Sequence, residues 1–426
     1  MVPPHPPHEP DPTPDPADGD EPAVGPVDDP GPGAGRRWRR TGYVAGSVLG
    51  LLIVVVIGSL FVTTPYYRLA PGSVRTTEEL IEVRGADAYT DDAGVIGYTT
   101  VSLGPATVFE LVTGWMDDDV EILTKEEAIG DVDPDENREA NLQMMDSSKQ
   151  LAAAVALTEL GYDVEQLGTG ALVVQVVPGS AADGVLARGD TVVAVDGQPV
   201  ERNDELGALL DGRSPGDVVT LRVERPVDLE VPAGADGATT TSTSSPATTS
   251  PAPEVDRPDG APMAEVTAFD VEVELGARDD DPDAVFLGVS SLTRDQQYDL
   301  PFTVTIDSGS VGGPSAGLAF TLGVIDVLTP GSLTGGLKVA TTGTIQPDGT
   351  VGEVGGVRQK TAAVRASGAD VFLVPTAELA DARAAAGGDL EVIGVDDLTG
   401  ALTALDGLGG DTSGVRAQQL ADGAGS

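Results

Sequence analysis

From residue 284 to residue 407 the chain alternates strand-like and helix-like runs, which restricts this part to an α/β domain with a core of its own. Strand-like runs cover residues 284–287, 302–306, 339–345, 371–374 and 390–395. Helix-like runs cover residues 315–328, 357–366, 377–386 and 398–405. Two of these helices open on glycine-rich turns. Gly312-Gly313-Pro314-Ser315-Ala316-Gly317 heads the first, and Gly355-Gly356-Val357-Arg358-Gln359-Lys360 heads the second.

Those turns place reactive residue types where chemistry is feasible. Pro314 suits a first helical turn, because its missing N–H is not needed there. Gly312 and Gly313 allow the backbone to approach a substrate closely. Backbone amides at a helix start lack intrahelical partners and can stabilise an oxyanion. A serine without a histidine needs another base. A buried lysine can serve, because desolvation disfavours its charged form. Ser315 and Lys360 together suggest a Ser-Lys hydrolase.

The residue inventory excludes the alternatives. The chain has no cysteine, and its 2 histidines, His5 and His8, lie in a Pro-rich tail. A thiol nucleophile, a Ser-His-Asp triad and a histidine or cysteine metal site are not expected in a folded domain. The lysines are Lys125, Lys149, Lys338 and Lys360, so candidate bases are few; Lys338, at a strand edge, is the weaker one. No G-x-x-x-x-G-K-[ST] run occurs, so no P-loop and no cofactor are expected. A net charge of −45 over 426 residues argues against nucleic acid as a partner. It fits solubility or a saline habitat.

Residues 1–40 read as a disordered tail ending in the basic flank Arg36-Arg37-Trp38-Arg39-Arg40. Residues 43–62 form an uncharged apolar run, within a segment 41–64 expected to be a single transmembrane helix. The arginines would hold the N-terminus in the cytoplasm, and the catalytic domain would lie outside it. Residues 65–160 read as a mixed α/β region with no chemistry, including a helix at 141–160.

Residues 161–276 read as a β-rich module. Gly168-Thr169-Gly170-Ala171 precedes a strand starting at Leu172; Asp196-Gly197 makes a tight turn, and residues 203–210 form a helix. Residues 233–262, rich in Ala, Thr, Ser and Pro, interrupt it as an expanded hairpin loop. This order resembles a PDZ domain of the kind found in bacterial proteases. The resemblance implies capture of a peptide end by Gly168, Thr169, Gly170, Ala171 and Leu172, the peptide adding a strand to an exposed edge.

Farther on, Gly312 to Gly317, Thr342-Gly343-Thr344-Ile345, Gly352 to Lys360, and Val371 to Pro375 occur in order. Together they resemble the proteolytic domain of the Lon family. With the expected anchor and PDZ-like module, the chain resembles membrane-anchored, PDZ-containing Lon-like proteases. The resemblance implies Ser315 as nucleophile, Lys360 as general base and Thr342 as the residue that orients the lysine, with Gly313 lining the substrate site. It also implies an endopeptidase acting without ATP on peptides or unfolded proteins, and a homo-oligomeric ring. Two departures stand out: Gly312 where Lon enzymes commonly carry an acid, and Thr344 where they commonly carry a glutamate. The competing class is a catalytically silent, PDZ-based binding scaffold. Residues 408–426 read as a disordered tail.

Overall fold

A computed structural model describes residues 34–89, 94–227, 266–278, 281, 284–388 and 390–415, with side chains described from residue 46. Most of the expected N-terminal tail, the insertion 233–262 and the end of the C-terminal tail lie outside the described residues. The chain falls into two compact units. One is Met1–Thr63 with Thr107–Glu110; the other is Thr64–Ala106 with Leu111–Ser426.

The first unit contains the helix Ala34–Ser59. It corrects the expected membrane span. The helix ends at Ser59, Leu60 and Phe61 lie in a turn, and extended chain begins at Thr63. The helical part of the apolar run therefore falls short of the roughly 20 residues that a bilayer requires. Among the described residues, no helix is long and apolar enough to cross a membrane. The single-pass anchor, and with it the assignment of a cytoplasmic N-terminus and an extracytoplasmic catalytic domain, is not supported.

The second unit holds two large sheets. The first runs in the order Glu391–Val395, Val371–Pro375, Lys338–Thr341, Val95–Thr107, Thr63–Thr76, Glu121–Thr124. The first four of these strands are parallel to one another. Helices Val357–Ser367 and Leu379–Ala386 make two of the crossovers that parallel strands need. Lys338 pairs with Val95 and Thr341 with Tyr98, so residues 65–160 complete the sheet of the α/β domain. That domain does not begin at residue 284. Nor does it end at 407, since Thr412 and Val415 are buried.

Period-two alternation along the central strands builds a core on each face. Val371 and Leu373 join one cluster with Tyr98, Met145, Leu157 and Phe320. Phe372 and Val374 join another with Val364, Ala382 and Val392. The helix Gly317–Leu328 is buried nearly all round, as its almost unbroken apolar sequence requires. It packs beneath the helix Pro134–Glu159, which starts earlier than the apolar pattern indicates. The Asp133 carboxylate caps that start by accepting from the Asp135 N–H, and Pro134 occupies the first turn.

The second sheet is antiparallel, in the order Val266–Glu274, Val218–Pro226, Thr191–Val195, Ala171–Val176, Val289–Thr293. Val218 lies opposite Glu274 and Pro226 opposite Val266, the pairing an expanded hairpin needs. Asp196 and Gly197 both have positive φ, as the two-residue turn demands. The helix Asn203–Leu210 buries Leu206 and Leu210 against Val173, Val195 and Leu221. Inside the module, Arg225 grips Asp190 through two hydrogen bonds of 2.6 Å, both side chains being buried. The module extends past residue 276, because Val289–Thr293 supplies its edge strand.

Candidate active site and peptide edge

Ser315 sits in a turn two residues before the helix Gly317–Leu328, half-buried. The helix starts later than expected because the Ser315 carbonyl is bonded elsewhere. It accepts from the Gly343 N–H at 2.9 Å and from the Thr342 hydroxyl at 3.2 Å. The amides of Ser315 and Ala316 have no partner among the described residues.

The turn is held from the far side by the helix Pro134–Glu159. The Gly313 N–H donates to the Asn141 carbonyl at 2.7 Å, and the Ser148 hydroxyl donates to the Pro314 carbonyl at 3.1 Å. A Cβ at position 312 would stand 2.9 Å from Asn141 Cβ, so glycine there permits the close approach. Gly313 takes φ +90°, a left-handed conformation suited to glycine. Its amide is occupied by Asn141 and is not free for a substrate.

Lys360 lies in the first turns of the helix Val357–Ser367, which Gly356 caps in the left-handed region at φ +69°. Its side chain is 2 % exposed. Lys360 Nζ donates to Thr342 Oγ1 at 3.0 Å, and that hydroxyl in turn donates to the Ser315 carbonyl. Thr342 is itself fixed by its N–H, which donates to the Leu373 carbonyl of the next strand. The three residues expected to act together are thus joined in one hydrogen-bonded chain, with Thr342 in the middle. Among the described residues, Ser315 Oγ and Lys360 Nζ make no direct hydrogen bond. Burial pulls the Lys360 ammonium down to about 8, while the Glu378 carboxylate acts in the opposite sense. Lys338 and Lys125 are exposed, and Lys149 pairs with Asp146 at 2.6 Å.

The peptide-capturing loop does not lie where the sequence places it. The Thr169 N–H donates to the Arg294 carbonyl and the Gly170 N–H to the Glu201 carbonyl, each at 2.9 Å. Ala171 and Leu172 are paired on both sides, with Thr293 and Leu292 on one and with Val192 and Thr191 on the other. Gly168 has no room for a side chain beside Thr293 and Glu201. The open edge is Val289–Thr293, next to the helix Asn203–Leu210. The turn Phe286-Leu287-Gly288 leads into it, with Gly288 at φ +83°. Sequence reasoning missed this edge, although Phe286-Leu287-Gly288-Val289 was a readable glycine turn between apolar residues.

Residues 295–405 match the model of the Lon protease (S16) C-terminal proteolytic domain, and residues 158–241 match that of the PDZ domain. The chain carries both domains. It is a serine-type peptidase with a peptide-binding module. No curated protein matches the chain. Asn141 and Ser148 lie outside both matched segments, yet the Lon-type domain depends on them to hold its serine turn. Nothing in the sequence marks either one: each is a single polar residue in a polar helix.

Proposed function

We propose that the chain is an ATP-independent endopeptidase in which Ser315 is the nucleophile, Lys360 the general base and Thr342 the residue that orients the base. The observation that carries this reading is a lysine buried to 2 % exposure, bonded at 3.0 Å to a hydroxyl that bonds the backbone of the serine. A buried ammonium is costly unless it has a use or a partner charge. Here the neutral amine is accessible near physiological pH, which a general base needs. As Ser315 Oγ bonds to the scissile carbonyl carbon, its proton passes to Lys360 Nζ. The unpartnered amides of Ser315 and Ala316 favour the developing oxyanion. Lys360 returns the proton to the leaving amine, and water then hydrolyses the acyl-serine. Without a P-loop the cycle has no means of unfolding its substrate, so flexible or unfolded chains are the substrate class. In a cleavage assay on an unfolded protein, added ATP should leave the rate unchanged; stimulation by ATP would contradict this reading.

The PDZ module brings such chains in by a peptide end that adds to the edge Val289–Thr293, with the Leu287-Gly288 turn at its carboxylate. Leu292 is exposed on this edge, available to an incoming side chain. Hydrogen exchange with a peptide bearing a free C-terminus tests the placement. Protection should rise at residues 287–293 and stay constant at Gly168 to Leu172; the reverse pattern would restore the loop before Leu172.

A further inference from the structure

Glu378 is a charged group the reaction as described does not use. It ends the short helix Thr376–Glu378, directly after the strand Val371–Pro375 whose Leu373 fixes Thr342. Its Oε1 accepts from the Val354 N–H at 2.8 Å. Val354 belongs to the turn Glu353-Val354-Gly355-Gly356 that leads into the Lys360 helix, so Glu378 ties that turn to the sheet. Its Oε2 is buried and has no hydrogen-bond partner. Burying a carboxylate oxygen unpaired is unfavourable, so such an atom calls for a reason. Glu378 is also the charged group that acts on Lys360. The other charged side chains around the lysine face solvent: Arg358 and Arg365 on its own helix, Glu353 in the preceding turn, and Asp118 in the loop that Arg358 reaches.

When Lys360 accepts the serine proton, a full positive charge appears in a dry site. An ammonium has three donors, and Thr342 meets one of them. We propose that Glu378 is a positioning residue for the base: it anchors the turn ahead of the Lys360 helix and presents a fixed negative charge to the lysine when it becomes protonated. This rests on the assignment of Lys360 as the general base.

Cleavage of a fluorescein-labelled unfolded protein by the full chain, followed from about pH 6 to about pH 10, tests it with Glu378→Gln and Glu378→Asp. Glutamine keeps an oxygen for Val354 and removes the charge. Activity rises with pH as Lys360 becomes neutral, so loss of the charge should lower the midpoint of that rise by about one unit. Glu378→Asp should keep the midpoint of the parent. A Glu378→Gln chain that folds by circular dichroism yet cleaves at no pH, beside an active Glu378→Asp, would also support the need for the charge. An unmoved midpoint in Glu378→Gln, or loss of activity in both folded variants, would overturn it. Ser315→Ala in the same series separates the two readings. Cleavage surviving in that variant removes the dyad itself, whereas an unmoved Glu378→Gln midpoint beside an inactive Ser315→Ala removes only the part given to Glu378.

Discussion

Lys360→Arg should not cleave at any pH at which the chain stays folded, and Lys360→Ala should lose about a thousandfold or more of the activity. Both follow from what the site asks of this position. The base must be neutral to accept the Ser315 proton, and burial brings lysine to that state at about 8. Guanidinium stays protonated throughout the accessible range, so arginine cannot take over, however well it fits. In the parent chain the acidic limb of the activity profile should therefore rise through about pH 8, and Lys360→Ala should lack that limb. The same burial has a signature in stability. Between about 8 and the ordinary lysine value of 10.5, the folded chain holds fewer protons than the unfolded one. Stability should thus increase with pH across that window, and Lys360→Met should flatten the slope. A Lys360→Arg chain that cleaves would show that the base is another group.

Ser315→Ala should reduce cleavage by about ten-thousandfold or more while melting like the parent. The separation is expected because the turn is held by backbone groups and not by the serine side chain. Gly343 N–H and Thr342 Oγ1 bond the Ser315 carbonyl, Asn141 holds Gly313, and Ser148 holds Pro314. Alanine retains every one of these. Removing a half-buried hydroxyl leaves a small change in packing, within the range of ordinary single substitutions. Circular dichroism and peptide binding at the PDZ edge should be unchanged. Full activity in this variant would remove Ser315 as nucleophile; loss of the fold would mean that the hydroxyl carries a structural load not visible in its contacts.

The catalytic residues were legible because glycine and proline mark unusual backbone and because lysine is scarce here. Gly356 does adopt the left-handed cap that the Gly355-Gly356 pair suggests, and Lys360 follows it onto a buried helix face. The glycines of the serine turn were legible as a close approach, but the partner was not. Asn141 reaches Gly313 across a separation in sequence that no local pattern records. The same is true of the central sheet. Parallel pairing of Lys338 with Val95 leaves no trace in either strand alone, so residues 65–160 read as a separate region. In the PDZ module the glycine turn before Leu172 and the one before Val289 look alike in sequence. Only strand order shows that the first feeds an interior strand and the second an edge. The apolar run 43–62 misled for a related reason: composition counts apolar residues but does not register that Ser59 ends the helix while Leu60, Phe61 and Val62 continue the run outside it.

The measurement that tests the account most directly is the pH dependence of proteolysis by the full chain on a labelled unfolded protein, without nucleotide, beside Ser315→Ala. The account predicts cleavage that rises through about pH 8 in the parent and is absent from the variant. Cleavage by Ser315→Ala, or a parent profile with no limb near that pH, would contradict a Ser-Lys mechanism.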